Sequence, residues 1–486
     1  MIKTAKQRIE STALIALAIT GTFNKVKAEN NQDKRPNIIF ILTDDQRWDA
    51  MGYAGNEIIQ TPNMDTLAKQ GIYFQNAFCT TPISAASRAS ILTGMYERTH
   101  GYTFEQGPLK NQYAQVSYPV HLKENGYYTG FFGKLGVIIN QADQLFNEAD
   151  FFDREDIYRD RRGYYYKTIG GDTVHLTTYT SHKARCFIQN APADRPFCLS
   201  ISFSAPHAHD SAKEQYFSDP GYALLYEDIA IPPPPLSEDK YFNVLPKEVQ
   251  EGFNRVRWLW RFDTEARYQE YVKGYFRMIT QVDNEIGKIC NLLKDLGISD
   301  NTVIILASDN GYFLGERQLA DKWLMYDGSI RIPMIIYDPR VKSKIIKDPV
   351  LNIDIPSTIL DLASIPQPDY YQGSSLLNYY QQKRKIPKRD AILFEHLWEK
   401  KEIPSSEGIR TDRWKYIRYR FIDAPEELYD LKKDPLETNN LIADPKHEKV
   451  IKKLRKECDD SSTAARNFPV PDNTIKITNV YSEGTV

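Results

Sequence analysis

The chain has 486 residues, 41% hydrophobic and 26% charged, with a formal net charge of −2. It is long enough for one large domain and a smaller one, and its slight acidity excludes general nucleic-acid binding. Five cysteines, Cys79, Cys186, Cys198, Cys290 and Cys458, stand at unrelated spacings with no CxxC pair, so no disulfide framework is expected.

Residues 1–28 read as an export signal, with a basic head (MIKTAKQR), an apolar stretch (STALIALAITGTF) and small residues around Ala28. The stretch is too short to span a bilayer and no later segment is long enough, so a periplasmic or secreted protein is expected. NIIFIL (37–42) then predicts a strand and TPNMDTLAKQG a helix. GYYTGFFG (126–133), PFCLSISFS (196–204), TVIILAS (302–308) and IPMIIYD (332–338) predict further strands. Apolar residues at helical spacing over 273–297 predict the crossover into TVIILAS. Residues 210–270, with PPPP and a Trp/Arg/Tyr-rich stretch, read as an insertion that shapes a cleft. From about 385, AILFEH, GIRTDRWKYIRY and EELYDL alternate as short strands before a helix near 445–458. The expectation is an α/β fold. A large, mostly parallel sheet flanked by helices covers 34–380, and a smaller C-terminal antiparallel β plus helix subdomain covers 385–486.

Chemistry-bearing residues follow the strands. NIIFIL leads to Asp44 and Asp45, TVIILAS to Asp309 and Asn310, PFCLSISFS to His207 and His209, and GYYTGFFG to Lys134. In open α/β sheets ligands bind beyond the carboxyl ends of strands, so these groups share one rim. Asp44, Asp45, Asp309 and Asn310 are oxygen donors, which suit Ca2+, with Mg2+ as the alternative, and not zinc. In SAASRASILTG (84–94), Ser84 falls in the first turn of a short helix stopped by Gly94, and Arg88 lies one turn on along the same face. The free N–H groups of a helix start suit an anion.

With SAASRASILTG stand RPNIIFILTDDQR, TPNMDTLAKQGIYFQNAF, Gly133-Lys134, ASDNGYFLGERQLADKWLMYDGSIRIPMIIYDP and ELYDLKKDPLETNNL. By these motifs, in this order from about residue 34 to 440, the chain resembles the type I sulfatases of the alkaline-phosphatase-like superfamily, in particular bacterial glycosaminoglycan sulfatases. The resemblance implies that Ser84 is converted to formylglycine by an anaerobic radical sulfatase-maturating enzyme. It also implies that Asp44, Asp45, Asp309 and Asn310, with the modified Ser84, hold one Ca2+. Arg88, Lys134 and Lys322 would neutralise the sulfate, and His207 would face the leaving oxygen, with His207 or His209 protonating it. Two residues depart from the family pattern: Ala86 replaces a proline, and Gly136 stands where the family has a histidine that helps deprotonate the hydrate. Either another base serves, with His100 and His209 as candidates, or turnover relies on water and Lys134.

The overall resemblance and the supply of cations favour an exo-acting sulfatase removing 2-O-sulfate from a terminal, unsaturated uronic acid of heparan or chondroitin fragments. His396, Arg410 and RDRRGYYYK (159–167) are candidates for the uronate carboxylate. An N-acetylhexosamine 6-O-sulfatase is the alternative. Two other classes compete: a phosphatase or phosphodiesterase of the same fold, which would need more histidine ligands, and a non-catalytic glycan-binding protein.

Overall fold

The computed structural model describes residues 35–381 and 388–470, and the expected export signal lies outside them. Eight strands form the central sheet: β1 (Asn37–Thr43), β2 (Ile72–Phe74), β3 (Tyr128–Gly133), β4 (Glu148–Phe151), β5 (Phe197–Ser202), β6 (Thr302–Ser308), β7 (Met334–Tyr337) and β8 (Lys344–Ile346). Their order across the sheet is β8-β2-β7-β6-β1-β5-β3-β4. All run parallel except β7, which pairs antiparallel with both β6 and β2.

The middle strands are near-continuous apolar runs because both faces of the sheet are covered. In β1, Ile38, Phe40 and Leu42 belong to one core and Ile39 and Ile41 to the other, the period-two alternation of a pleated strand. One face carries α1 (Pro62–Gln70), α3 (Leu176–Asn190) and the long α5 (Glu265–Asp295). The other carries α2 (Ser84–Thr93) and α6 (Asp354–Leu362). The 210–270 stretch contributes α4 (Phe253–Arg261). The crossover helix expected at 273–297 begins earlier, because Thr264 caps α5 by accepting from the Arg267 N–H at 3.3 Å.

The four C-terminal strands β9 (Ile392–His396), β10 (Ser406–Arg410), β11 (Trp414–Tyr419) and β12 (Glu427–Asp430) make the expected antiparallel sheet in sequential order. Helix α7 (Glu448–Arg466) closes it by burying Ile451, Leu454 and Cys458 against Leu393, Ile409, Tyr416 and Leu428. Among the described residues no helix is long and apolar enough to cross a membrane.

Candidate active site

All ten residues of α2, SAASRASILT, are buried. Alanine and serine side chains are small enough to let a helix run through the interior, and Gly94 ends it at φ +69°, a conformation that favours glycine. The first helical bond runs from the Ser87 N–H to the Ile83 carbonyl at 2.9 Å, so the N–H groups before Ser87 have no acceptor within the helix. Ala86 lies in that turn, where proline and alanine fit the backbone alike.

Ser84 heads the helix at the floor of a cavity of about 360 Å³, together with Lys134, His207 and Lys322. Its Oγ lies 3.1 Å from Asp44 Oδ1 and 3.2 Å from Asn310 Oδ1, two acceptors for one proton. Four parallel strand ends deliver the partners. Asp44 and Asp45 follow β1, Asp309 and Asn310 follow β6, His207 follows β5, and Lys134 follows β3. Arg88 is clamped: Nε donates to Asp309 Oδ2 at 2.9 Å, and Nη1 to Ser202 Oγ at 2.7 Å and the Lys134 carbonyl at 2.8 Å. Lys134 donates to Asp44 Oδ2, and Lys322 Nζ to Asp45 Oδ1 at 2.5 Å.

The electrostatics are those of residues that fit a cation. Asp44, Asp45 and His207 offer ligand atoms all within 4.8 Å of one another. Burial pushes the Asp45 carboxyl up to about 7; Lys322 opposes this, while Asp44, Asp321 and Asp309 reinforce it. Asp45 Oδ2 is buried without a hydrogen-bond partner. Burial also acts on Asp44, but Lys134 and Arg88 outweigh it and hold that carboxyl well below its usual range. Clustered oxygens, one of them orphaned, suit a hard divalent cation. Asp309 is less free than expected of a ligand, since its Oδ1 already accepts from the Asp45 and Asn310 N–H groups at 3.1 and 2.9 Å.

His207 Nδ1 lies 2.6 Å from the Ala208 carbonyl, which can only accept, so the proton sits on Nδ1 and Nε2 carries the lone pair. Burial, then Arg154 and Lys322, hold His207 well below its usual range, so it rests neutral. A proton on Nε2 for a leaving oxygen therefore has to be gained first.

The residues expected to bind substrate are not brought to the cavity. His209 is buried, with Nε2 donating to the Tyr158 carbonyl at 2.5 Å. His100 lies behind α2: Nε2 meets Ser90 Oγ at 3.0 Å, Nδ1 accepts from the Tyr102 N–H, and burial pushes its pKa down to about 3. Neither ring lines the cavity that holds Ser84. His396 is buried in β9, its ring nitrogens without hydrogen-bond partners and its pKa also lowered by burial to about 3. Arg410 donates to Asp327 at 3.0 Å and lines a different cavity, of about 290 Å³. Arg159, Arg161 and Arg162 line a third, of about 710 Å³. His209 follows β5 as His207 does, but its ring is buried against the Tyr158 carbonyl and not turned to the cavity.

The cavity holds other residues that the sequence reading passed over. Asp153 and Arg154 follow the short edge strand β4, whose four residues EADF are too few and too polar to stand out as a strand. Trp323, Phe253 and Trp398 form an aromatic wall, Phe253 and Trp323 stacked with centroids 5.9 Å apart. Arg257 stands against that wall, 5.3 Å from the Trp323 ring centroid, and pairs with Asp210 at 2.8 Å and Asp321 at 2.5 Å. Lys400 lies over the Trp398 ring at 4.8 Å. The rule that placed Asp44 and His207 at strand ends would have found Arg154 had β4 been read.

The sulfatase family model matches residues 36–365, more than half of the chain, and the model for the N-sulphoglucosamine sulphohydrolase C-terminal region matches 315–464. An N-acetylglucosamine-6-O-sulfatase of Bacteroides thetaiotaomicron is 30% identical over 91% of this chain and 89% of its own length. An arylsulfatase of Clostridium perfringens is 29% identical over 87% of this chain and 93% of its own. The solved structure of BT4656 in complex with its substrate D-glucosamine-2-N,6-O-disulfate superposes with a TM-score of 0.75 at 26% identity, covering 90% of this chain and all of that one. A phosphonate monoester hydrolase of Agrobacterium radiobacter shares the fold, with a TM-score of 0.73 at 20% identity over 89% of this chain and 96% of its own. The chain belongs to the sulfatase family of the alkaline-phosphatase-like superfamily and is a sulfuric ester hydrolase.

Proposed function

We propose that this sulfatase is exo-acting and removes sulfate monoesters from glycosaminoglycan fragments, with the 6-O-sulfate of a hexosamine as its first substrate. The observation that carries the chemistry is Ser84 at the head of a buried helix, on the floor of a cavity that also holds Lys134, Lys322 and His207. The hexosamine choice is supported by the N-acetylglucosamine-6-O-sulfatase relative and by the neighbour bound to glucosamine-2-N,6-O-disulfate. The 2-O-sulfate of a terminal uronic acid is the second reading. Arg257 and Lys400 in the cavity favour it, since guanidinium and ammonium groups pair with a carboxylate.

In this reading Asp44, Asp45, Asp309 and Asn310 hold one Ca2+, and Ser84 is the residue converted to formylglycine by an anaerobic radical maturation enzyme. Bound there, the ion would polarise a sulfate oxygen, and the hydrated aldehyde would supply both a nucleophile and an internal route for releasing sulfate. The chain's own residues do the rest. Arg88, fixed by Asp309, Ser202 and the Lys134 carbonyl, keeps positive charge beside the helix start. Lys134 and Lys322 present ammonium groups where charge grows on the sulfate and the departing oxygen. His207, neutral at rest, would first take up a proton on Nε2 and then donate it to the leaving oxygen. The aromatic wall offers a face to the sugar ring. An exported protein would meet such glycans outside the cytoplasm.

The test is sulfate release by anaerobically matured protein from defined sulfated disaccharides, with an aryl sulfate and an aryl phosphonate alongside. Release from 6-O-sulfated hexosamine alone supports the first reading, and release from 2-O-sulfated uronate alone the second. Faster cleavage of the phosphonate would remove both.

A further inference from the structure

Gly136 is one of the two positions at which the sequence departs from the pattern it resembles, and the backbone there leaves no room for a side chain. Gly136 adopts φ +68°, and a Cβ on it would lie 2.5 Å from Arg88 Cδ. Arg88 cannot yield that space without giving up its bonds to Asp309, Ser202 and the Lys134 carbonyl. No side chain can therefore stand at 136 in this arrangement.

A charged group from another element lines the same cavity. Arg154, just beyond β4, lines it with a side chain only 11% exposed. Nη1 lies 3.9 Å from Asp44 Oδ2 and 3.4 Å from Asp153 Oδ1, and Nη2 lies 3.3 Å from His207 Nε2. Nε is buried with no hydrogen-bond partner. A guanidinium carries five N–H donors, and these contacts are few and long for a group so far removed from water. Leaving charged donors unsatisfied in the interior is costly, and a ligand bearing several acceptor oxygens would relieve it.

The position names the ligand. The other oxygen of the same carboxylate, Asp44 Oδ1, is the one 3.1 Å from Ser84 Oγ. Arg154 thus faces the reacting side chain across the width of one carboxylate, with His207 on its other side. A planar fork there matches two oxygens of a tetrahedral oxyanion. We propose that Arg154 is a further sulfate-binding residue, donating to non-bridging sulfate oxygens between Ser84 and His207, a charge that no side chain at 136 can supply. Asp153, 3.4 Å from both Lys134 Nζ and Arg154 Nη1, is the positioning residue that keeps the two cations apart and aimed. The proposal rests on the reading of Ser84 as the place where the sulfate ester reacts.

Two measurements test it on the full chain: binding of inorganic sulfate by calorimetry in calcium buffer, and kcat/KM of anaerobically matured enzyme on an aryl sulfate, which has no sugar for Arg154 to recognise. For Arg154→Gln, both are expected to fall about 10- to 100-fold, the range of one hydrogen bond to a charged group. Arg154→Lys, which keeps the charge and loses the fork, is expected to fall at least about fivefold. Values within about twofold of wild type for both variants overturn the proposal. So does a loss seen with sulfated sugars and absent with the aryl sulfate, which would make Arg154 a reader of the sugar. If Arg154→Gln does not fold, Arg154→Lys decides by the same criteria. Wild-type protein that binds sulfate but hydrolyses no sulfate ester would sink the functional reading, while the binding comparison would still judge Arg154.

Discussion

Ser84 Oγ stands 3.1 Å from Asp44 Oδ1, and that carboxylate also takes Lys134 on its second oxygen. The side chain proposed to react and a candidate cation ligand are thus one hydrogen bond apart. Asp45 adds an oxygen with no partner. Calcium at about 100 times its dissociation constant should stabilise chelator-treated protein by about 2.7 kcal/mol. Asp45→Asn should abolish most of that gain. Thermal melting with and without calcium checks both, and equal melting temperatures in the two conditions would count against the ion.

Lys322 is held between two residues of left-handed backbone, Asp321 at φ +77° and Trp323 at φ +80°. Asp321 is 1% exposed and pairs with Arg257 at 2.5 Å and Arg261 at 3.2 Å, the latter side chain fully buried. Asp321→Ala leaves both guanidinium groups with Asp210 as their one remaining carboxylate in the interior and should cost about 3–5 kcal/mol of stability. Urea unfolding measures it. A loss under about 1 kcal/mol would mean that water replaces the carboxylate.

Glu97 gives a pH dependence with a definite sign. It is buried, and burial, reinforced by Glu395, raises its pKa from 4.5 to about 8. The folded protein keeps this proton where the unfolded chain has lost it. Its contribution is therefore full below pH 4.5 and lost as pH rises to about 8. Glu97→Gln cannot lose a proton, so its stability relative to wild type should rise across that window. Urea unfolding at intervals between pH 5 and 8 follows the difference, and a flat difference would contradict the assignment.

How much of this was legible in the sequence follows from the kind of signal each part gives. NIIFIL and TVIILAS are buried on both faces, so they read as uninterrupted apolar runs, and the polar residue after each run marks the rim. That one rule gathered Asp44, Asp45, Asp309, Asn310, Lys134 and His207, and with them His209, whose ring is buried away from the cavity. It failed for β4, an edge strand of four half-polar residues, and Arg154 was lost with it. For histidines the marker does not discriminate, since His207 and His209 both follow β5. His100, His209 and His396 satisfy or bury themselves in the core, and only packing tells them from His207. The aromatic wall comes from three distant segments, around Phe253, Trp323 and Trp398, whose meeting no local pattern announces.

Trp398 lies at the cavity, with Phe104 edge-on to it at 5.0 Å. If the wall receives a sugar ring, Trp398→Ala should raise KM for a sulfated disaccharide about 3- to 10-fold, the worth of one aromatic contact. KM for a small alkyl sulfate should stay as it was. Steady-state kinetics on the two substrates separates them, and parallel increases would assign Trp398 to the floor of the site instead.

The most direct measurement is the mass of the peptide carrying residue 84, taken from protein matured in an anaerobic host and assayed for sulfate release. Active protein should carry a residue lighter than serine by two hydrogens, and Ser84→Ala should lower turnover at least about 1,000-fold. Full activity on a sulfated hexosamine with an unaltered serine at that position would contradict the account.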